Sequence, residues 1–191
     1  LSFEQAEGDV PMKTLTAAAL AAAGLGALLI AGAAGAEVTD RSAAGFEVTE
    51  KATIAAAPGK VWGALMRPAR WWASDHTWSG DAKNLSFDPS GCFCERPKNG
   101  GVRHMMVIYA DGATALRLSG GLGPLQFTGA SGVLGFALKD AGGGKTDLTV
   151  TYDVGGYAKG GLAETLAAPV DRVLGEQVGR LKKAVETGKP D

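Results

Sequence analysis

The sequence predicts an α+β domain in which a curved antiparallel sheet packs against one long C-terminal helix. Glycine-rich turn signals divide the chain after residue 84 into short β-like segments. Apolar side chains in the last segment, residues 162–187, recur in steps of three and four, which places them on one face of a helix. A single amphipathic helix must bury that face, and the sheet is the partner that the chain provides.

Composition limits the classes of protein that fit this chain. Hydrophobic residues make up 46% of the 191 residues and charged residues 20%, which is ordinary for a globular protein and unlike a disordered one. The net charge of −1 gives no electrostatic reason to expect a nucleic-acid partner. The length fits one domain, and 29 glycines, about twice the usual share, favour a β-rich fold with many tight turns.

The N-terminal region has the pattern of a cleavable secretory signal. Residues 15–36 carry no charge and are mostly Ala, Leu and Gly, and Lys13 stands just before them. Ala36 ends an A-x-A triplet of the kind that signal peptidase cleaves. We therefore expect cleavage after Ala36 and a periplasmic or secreted protein that does not stay inserted in a membrane. An uncleaved membrane anchor is the alternative, because an uncharged run of this length could span a bilayer.

The predicted division of the chain follows from this segment. Residues 1–11 precede the first Met and are interpreted as an over-extended reading frame or a fragment scar. Residues 12–36 form the predicted signal peptide, and residues 37–45 a flexible linker. The folded domain is placed at residues 46–187, with residues 188–191 as a short tail.

The predicted domain begins with a strand and a short helix. Phe46–Ile54 is rich in β-branched residues, although its polar and apolar residues alternate imperfectly. Pro58 starts a helix that we place at Pro58–Met66, because proline is common in the first helical turn. Pro68 ends this helix, and a loop rich in tryptophan follows.

Six further strands are predicted between this loop and the last helix. Turn signals such as Asp111-Gly112 and Gly142-Gly143-Gly144 separate them, and hairpins joined in this way imply an antiparallel meander. The six predicted strands are Asn84–Phe87, Gly91–Arg96, Gly101–Ala110, Thr114–Ser119, Gly129–Lys139 and Thr146–Gly155.

The long C-terminal helix is predicted at Leu162–Thr187, and Gly188 fits its end. Pro169 lies inside it, where a proline costs about 3 kcal/mol, so we expect a kink or a fresh helix start there. The apolar stripe consists of Leu162, Leu166, Val170, Leu174, Val178, Leu181 and Val185.

Several short motifs occur along the domain in a fixed order. They are residues 53–62 (TIAAAPGKVW), Arg70-Trp71-Trp72, Leu116-Arg117-Leu118, residues 144–150 (GKTDLTV), and Val170-Asp171 with Gln177 and Leu181 in the last helix. In this order they resemble the SRPBCC superfamily, which includes START lipid-transfer domains, polyketide cyclases and proteins of the birch-pollen-allergen type. The resemblance covers about residues 46–187. It implies a helix-grip fold, in which the sheet wraps around the C-terminal helix, with short helices after the first strand.

Cys92 and Cys94 are the two cysteines of the chain and lie two residues apart in a predicted strand. At that spacing the Cα atoms of a regular strand are about 6.5–7 Å apart, so a disulfide would need a bulge or a bend. If the loop between the two strands is odd in length, His104 and Met106 face the cysteines and complete a soft-metal ligand set. If the loop is even in length, this set does not form. Two cysteines that line the core are the other interpretation.

Glu95 and Arg117 are candidates for inward-facing strand residues. A buried carboxylate has to be paired or protonated, so a pair between these two side chains would give the cavity a polar end. The alternative is that both face solvent at strand ends. Tyr152, in the last predicted strand, is a further candidate ligand-binding residue.

The aromatic loop contains Trp71, Trp72, His76 and Trp78. We expect its tryptophans to contact an apolar ligand, because the matching segment of the resembled fold lies at the cavity entrance. The alternative is that they pack in the core, as large aromatic residues usually do. His76 is a candidate general base, although a lone histidine of this kind is more often a surface residue.

Three hypotheses of function follow. The first is a non-enzymatic, exported protein that binds a small lipid-like, apolar or amphipathic ligand between sheet and helix, without a cofactor. The second is an enzyme of the cyclase or dehydratase kind that uses Glu95, His76 or His104 as acid or base. The third is a redox or soft-metal protein built on the two cysteines. The candidate ligand-binding residues are Trp71, Trp72, Trp78, Cys92, Cys94, Glu95, His104, Arg117 and Tyr152.

Overall fold

The structure is a computed structural model that describes residues 37–191. The predicted signal peptide at residues 12–36 and the segment 1–11 lie outside the described residues. In the described part of the chain, no helix combines the length and the apolar character needed to cross a membrane.

The described residues contain one antiparallel sheet of eight strands. Its strands are β1 (Glu37–Ser42), β2 (Gly45–Ile54), β3 (Leu85–Phe87), β4 (Cys92–Glu95), β5 (Val102–Asp111), β6 (Ala115–Gly120), β7 (Gly129–Gly142) and β8 (Lys145–Tyr157). They pair in the order β1-β2-β8-β7-β6-β5-β4-β3, so β3 to β8 form the predicted meander and β2 joins β8 on its far side. The predicted α+β class is confirmed.

The segment 37–45 is an edge strand and a turn, and the prediction of a flexible linker there is wrong. Val38 pairs with Val48, and Ser42 pairs with Gly45 at the turn. Strand β1 is polar and mostly exposed, so it lacks the apolar alternation that makes a strand visible in a sequence. As a result, the first predicted strand is the second in the structure.

Two α-helices lie on the described chain. Helix α1 (Pro58–Leu65) follows β2 and buries Val61 and Leu65. Helix α2 (Leu162–Thr187) has the predicted bounds, and Gly188 ends it with a left-handed φ of 83°. Pro169 lies within α2, and the helix is continuous through it, so the alternative of a fresh helix start does not hold.

The core lies between α2 and the inner face of the sheet. Side chains alternate along the strands, so that Leu116 and Leu118 are fully buried while Arg117 between them is exposed. At the C-terminal end of α2, the Glu186 carboxylate accepts a hydrogen bond of 2.8 Å from the Ala55 N–H. Each fully buried leucine contributes roughly 1.5–3 kcal/mol to this packing. Together these contacts hold α2 across the sheet, an arrangement that is helix-grip-like.

Cys92 and Cys94 form a disulfide, with Cα atoms 5.4 Å apart. This distance is shorter than that of a regular strand, so β4 bends here, where its pairing with β5 shifts register between Phe93 and Cys94. The shift also places Cys94 opposite Arg103 rather than His104. The soft-metal ligand set therefore does not form, because its thiols are bonded to each other and the bulge moves its histidine out of register.

Reducing this disulfide is expected to lower the free energy of unfolding by about 1.5 kcal/mol, because closing so short a loop restricts the unfolded chain only slightly. Urea denaturation with and without a reductant measures the change. A Cys92→Ser/Cys94→Ser double variant is the control and should be insensitive to the reductant. A loss of roughly 4 kcal/mol or more would show that the bond does more than close a short loop.

Candidate functional site

A cavity of about 330 Å³ lies between the N-terminal half of α2 and two loops. The first is the tryptophan loop, residues 71–78, and the second is the β6–β7 loop, residues 121–128. The sheet supplies Phe93 and His104 as the floor. The volume is at the small end of the range for ligand sites in proteins. The helix contributes Leu166, Pro169, Val170, Val173 and Leu174 to the lining.

The tryptophan loop is held to α2 by two hydrogen bonds. The Gln177 side-chain oxygen accepts a bond of 2.8 Å from the Ala73 N–H. The Arg180 Nε donates to the Trp71 carbonyl oxygen at 2.9 Å. Within the loop, the Trp72 indole donates to the His76 carbonyl oxygen at 3.0 Å. These contacts place Trp72 on the cavity wall.

The mouth of the cavity is aromatic on one side and charged on the other. Trp78 is 46% exposed and packs edge-on against Phe127, with ring centroids 5.3 Å apart. On the charged side, His76 Nε2 lies 3.0 Å from Glu176 Oε2, and the Asp75 carboxylate lies close to both. The mouth therefore carries two carboxylates, which disfavour the approach of anions.

The β6–β7 loop is held by Tyr152 from beneath. Its hydroxyl donates to the Gly120 carbonyl oxygen at 3.0 Å and accepts from the Leu122 N–H at 3.2 Å. Gly120 has a φ of +148°, and a Cβ there would come within 2.8 Å of the His104 carbonyl oxygen. Glycine is therefore required at this corner of the cavity.

The floor of the cavity rests on a buried carboxylate, Glu95, which is 0% exposed. It accepts hydrogen bonds from the backbone N–H groups of Trp78, at 3.0 Å, and Ser79. It also lies 3.1 Å from His104 Nε2. Burial alone would raise the pKa of Glu95, but the Ser79 side chain, the Trp78 and Ser79 N–H groups and His104 together outweigh burial and lower it. Glu95 is therefore ionised at neutral pH.

His104 reaches the cavity because of the bulge in β5. Phe93 pairs with Met105, whereas Cys94 pairs with Arg103, so His104 is the additional residue. In a regular strand His104 and Met105 would point to opposite faces, but here both are buried. Burial lowers the pKa of His104 and outweighs the opposite effect of Glu95. The imidazole is therefore neutral at neutral pH and donates its Nε2–H to the carboxylate.

The structure brings some of the predicted site residues together and separates the others. Trp72, Trp78 and His104 line the cavity, His76 lies at its mouth, and Glu95 lies directly behind His104. The other predicted residues are outside the lining. These are Trp71, which is buried in the core, Tyr152, which supports the β6–β7 loop, Cys92 and Cys94 in the disulfide, and Arg117.

Arg117 lies on the outer face of the sheet and does not pair with Glu95. It stands between the inward-facing Leu116 and Leu118, so the strand alternation directs it to solvent. Its guanidinium lies 4.8 Å from the centre of the Tyr109 ring. The partners of Glu95 are instead two backbone N–H groups and His104.

The helix side chains that line the cavity were not among the predicted site residues. Leu166 and Val170 belong to the predicted apolar stripe, which was assigned to the core, but both are only partly buried. The stripe extends beyond the area that the sheet covers, and the uncovered part lines the cavity. Pro169 and Val173 also line this wall, and neither belongs to the predicted stripe.

A second buried carboxyl group, Glu50, was also missed. It lies on β2, is 0% exposed, and within residues 37–191 both of its oxygens lack a hydrogen-bond partner. The Oδ1 atom of Asp171 on α2 is buried and unpartnered in the same part of the chain. Burial, and then the Asp171 charge, raise the pKa of Glu50 to about 7. In α2, Asp171 comes directly after Pro169 and Val170, which line the cavity.

Comparison with known proteins supports the fold alone. No protein-family model matches the sequence, and no curated protein matches it significantly. The chain is similar to a conserved protein of unknown function, EF2215 from Enterococcus faecalis, with a TM-score of 0.54, 15% identity, and coverage of 80% of this chain and 78% of that chain. It is also similar to a conserved protein from Geobacillus kaustophilus, with a TM-score of 0.52, 14% identity, and coverage of 73% and 94%. A likeness of this kind does not assign a function, which has to be argued from the site.

Proposed function

We propose that the protein is an exported member of the SRPBCC superfamily that binds a small, largely apolar molecule. The ligand occupies the cavity between the tryptophan loop, the β6–β7 loop and α2. The observation that carries this proposal is the cavity itself, which is walled by apolar side chains and has His104 on its floor. Export rests on the signal pattern of residues 12–36.

The lining determines what kind of molecule fits. Trp72 and Leu125 offer apolar surface from the two loops, and Val170 offers it from the helix. A ligand that buries roughly 300 Å² of apolar surface gains about 7 kcal/mol before the costs of association. A gain of 7 kcal/mol corresponds to a dissociation constant of about 10 μM even before those costs, so affinities weaker than about 10 μM are expected. Because carboxylates stand at the mouth, neutral molecules are favoured over anions.

Val170→Asp is expected to weaken binding of the neutral apolar dye N-phenyl-1-naphthylamine by at least about tenfold, because it places a carboxylate against the ligand. Binding is measured by the rise in dye emission and by energy transfer from Trp72 and Trp78. Val133→Asp is the matched control: it makes the same change on the exposed outer face of β7 and should bind like the wild type.

Equal affinity of the wild type and Val170→Asp would place the dye elsewhere and overturn the proposed site. Displacement of the dye by apolar compounds of graded size then tests the 330 Å³ volume. Compounds that outgrow the cavity should displace the dye poorly.

A further inference from the structure

His104 is placed differently from the other side chains of the cavity floor. Its ring packs on Phe93, with centroids 4.9 Å apart and planes at 32°. One nitrogen, Nε2, lies 3.1 Å from Glu95. The other, Nδ1, makes no hydrogen bond with any side chain or backbone group of residues 37–191. His104 is one of the residues that line the cavity.

The carboxylate behind the ring fixes which nitrogen is basic. Ionised Glu95 is only an acceptor, so Nε2 has to carry the hydrogen and the lone pair of the neutral ring is on Nδ1. Two backbone N–H groups hold the carboxylate in place, that of Trp78 at the end of the tryptophan loop and that of the adjacent Ser79. If Nδ1 takes up a proton, the adjacent negative charge stabilises the imidazolium. Glu95 is therefore a positioning residue for His104.

We propose that Glu95 and His104 make the cavity a general-base site, in which His104 Nδ1 takes a proton from a bound, neutral and largely apolar molecule with an acidic hydrogen. This inference rests on the proposed function, because the substrate has to occupy the same cavity. The step is a proton transfer: the bond from hydrogen to substrate breaks, its electron pair stays on the substrate, and a new N–H bond forms on His104. Other titratable groups at the cavity are Asp75, His76 and Glu176 at its mouth.

The elimination of 5-nitrobenzisoxazole tests this step directly, because the probe is neutral, flat and apolar. Nδ1 takes the C3 proton, and the C–H electron pair forms the new π bond of the nitrile. The N–O bond breaks, and its electron pair stays on the phenolate oxygen, whose absorbance reports the rate. The reaction needs no water, metal or cofactor, so a base in an apolar cavity is sufficient.

The purified protein is expected to catalyse this reaction at least about 10²-fold faster than free imidazole at equal concentration. The rate should rise with pH to a midpoint below 6.5, because burial lowers the pKa of His104, and should be level above it. His104→Gln, which retains a polar side chain without a base, should lose about 10²-fold. Thr146→Val is the control, since it removes a buried hydrogen bond to the Ala56 carbonyl oxygen outside the cavity and should retain the rate.

Glu95→Gln separates positioning from simple folding. An amide oxygen still accepts one hydrogen bond, but the charge that raises the pKa of His104 is gone. The pH midpoint should therefore move to lower pH and the plateau rate should fall, while KM changes little. A variant that is merely less stable would show neither the lower pH midpoint nor the lower plateau rate.

Two results would overturn this proposal and leave the proposed function intact. In the first, the wild type binds N-phenyl-1-naphthylamine but catalyses the elimination no faster than imidazole does. The cavity then binds ligands, but His104 does not act as a base. In the second, His104→Gln retains the rate, so another group is the base. If the dye does not bind and no elimination occurs, the proposed function fails and this inference fails with it.

Discussion

Replacing Glu95 with alanine is expected to lower the free energy of unfolding by about 3–5 kcal/mol, the cost typical of breaking a buried charged contact. The carboxylate accepts from the N–H groups of Trp78 and Ser79 and from the ring of His104. Alanine accepts from none of them, so these donors lose their partner in or near the core. The tryptophan loop would also lose its connection to β4.

Urea denaturation at neutral pH measures this loss, and hydrogen exchange locates it. The Trp78 and Ser79 amides should exchange much faster in Glu95→Ala, since their acceptor is gone. Glu95→Gln retains one acceptor oxygen and should lose less stability than Glu95→Ala. A loss below roughly 1 kcal/mol in the alanine variant would mean that water replaces the carboxylate without cost.

Replacing Glu50 with leucine is expected to stabilise the protein by about 3 kcal/mol at pH 8. Folding raises the pKa of Glu50 from 4.5 to about 7, so the folded state holds a proton that the unfolded chain releases. The contribution of the Glu50 carboxyl group to the free energy of unfolding is therefore fully present below pH 4.5 and is lost as the pH rises to about 7. Burial also raises the pKa of Asp171, with Arg41 acting in the opposite direction and Glu37 in the same direction.

Urea denaturation at pH 5 and pH 8 checks this prediction. His104, whose pKa is lowered by burial, makes the protein more stable as the pH rises, so the difference in stability between pH 5 and pH 8 is compared between variants. This difference should favour pH 8 more in Glu50→Gln than in the wild type, because the amide does not ionise. Glu164→Gln, on an exposed position of α2, is the control and should leave the difference unchanged. An equal pH difference in the wild type and in Glu50→Gln would show that solvent reaches the Glu50 carboxylate.

Local periodicity predicted most of the elements. The bounds of α2 were predicted to the residue, because an amphipathic repeat over this length depends only on the spacing of its own residues. Strands β6 and β7 were predicted within a few residues, since glycine-rich turns mark their ends. The edge strand β1 was missed because its stability comes from pairing with β2 and not from a buried face of its own.

The candidate site was predictable only in part. Trp72, Trp78 and His104 were singled out by residue type, but nothing in the local pattern distinguished Trp72 on the wall from Trp71 in the core. The partner proposed for Glu95 was Arg117, which the strand alternation directs to the opposite face. A carboxylate can be satisfied by backbone N–H groups, and these leave no signature in the sequence.

The sequence by itself determined the α+β class, the long C-terminal helix and the crowded tryptophan loop, because these depend on composition and on spacing within single segments. The tertiary structure alone decided the register of β4 against β5. One additional residue there turns His104 inward, separates it from Cys94 and places it against Glu95. A bulge of this kind is set by how two distant segments pair and by what the core accepts, so the chemistry of the cavity floor appears only when the strands are assembled.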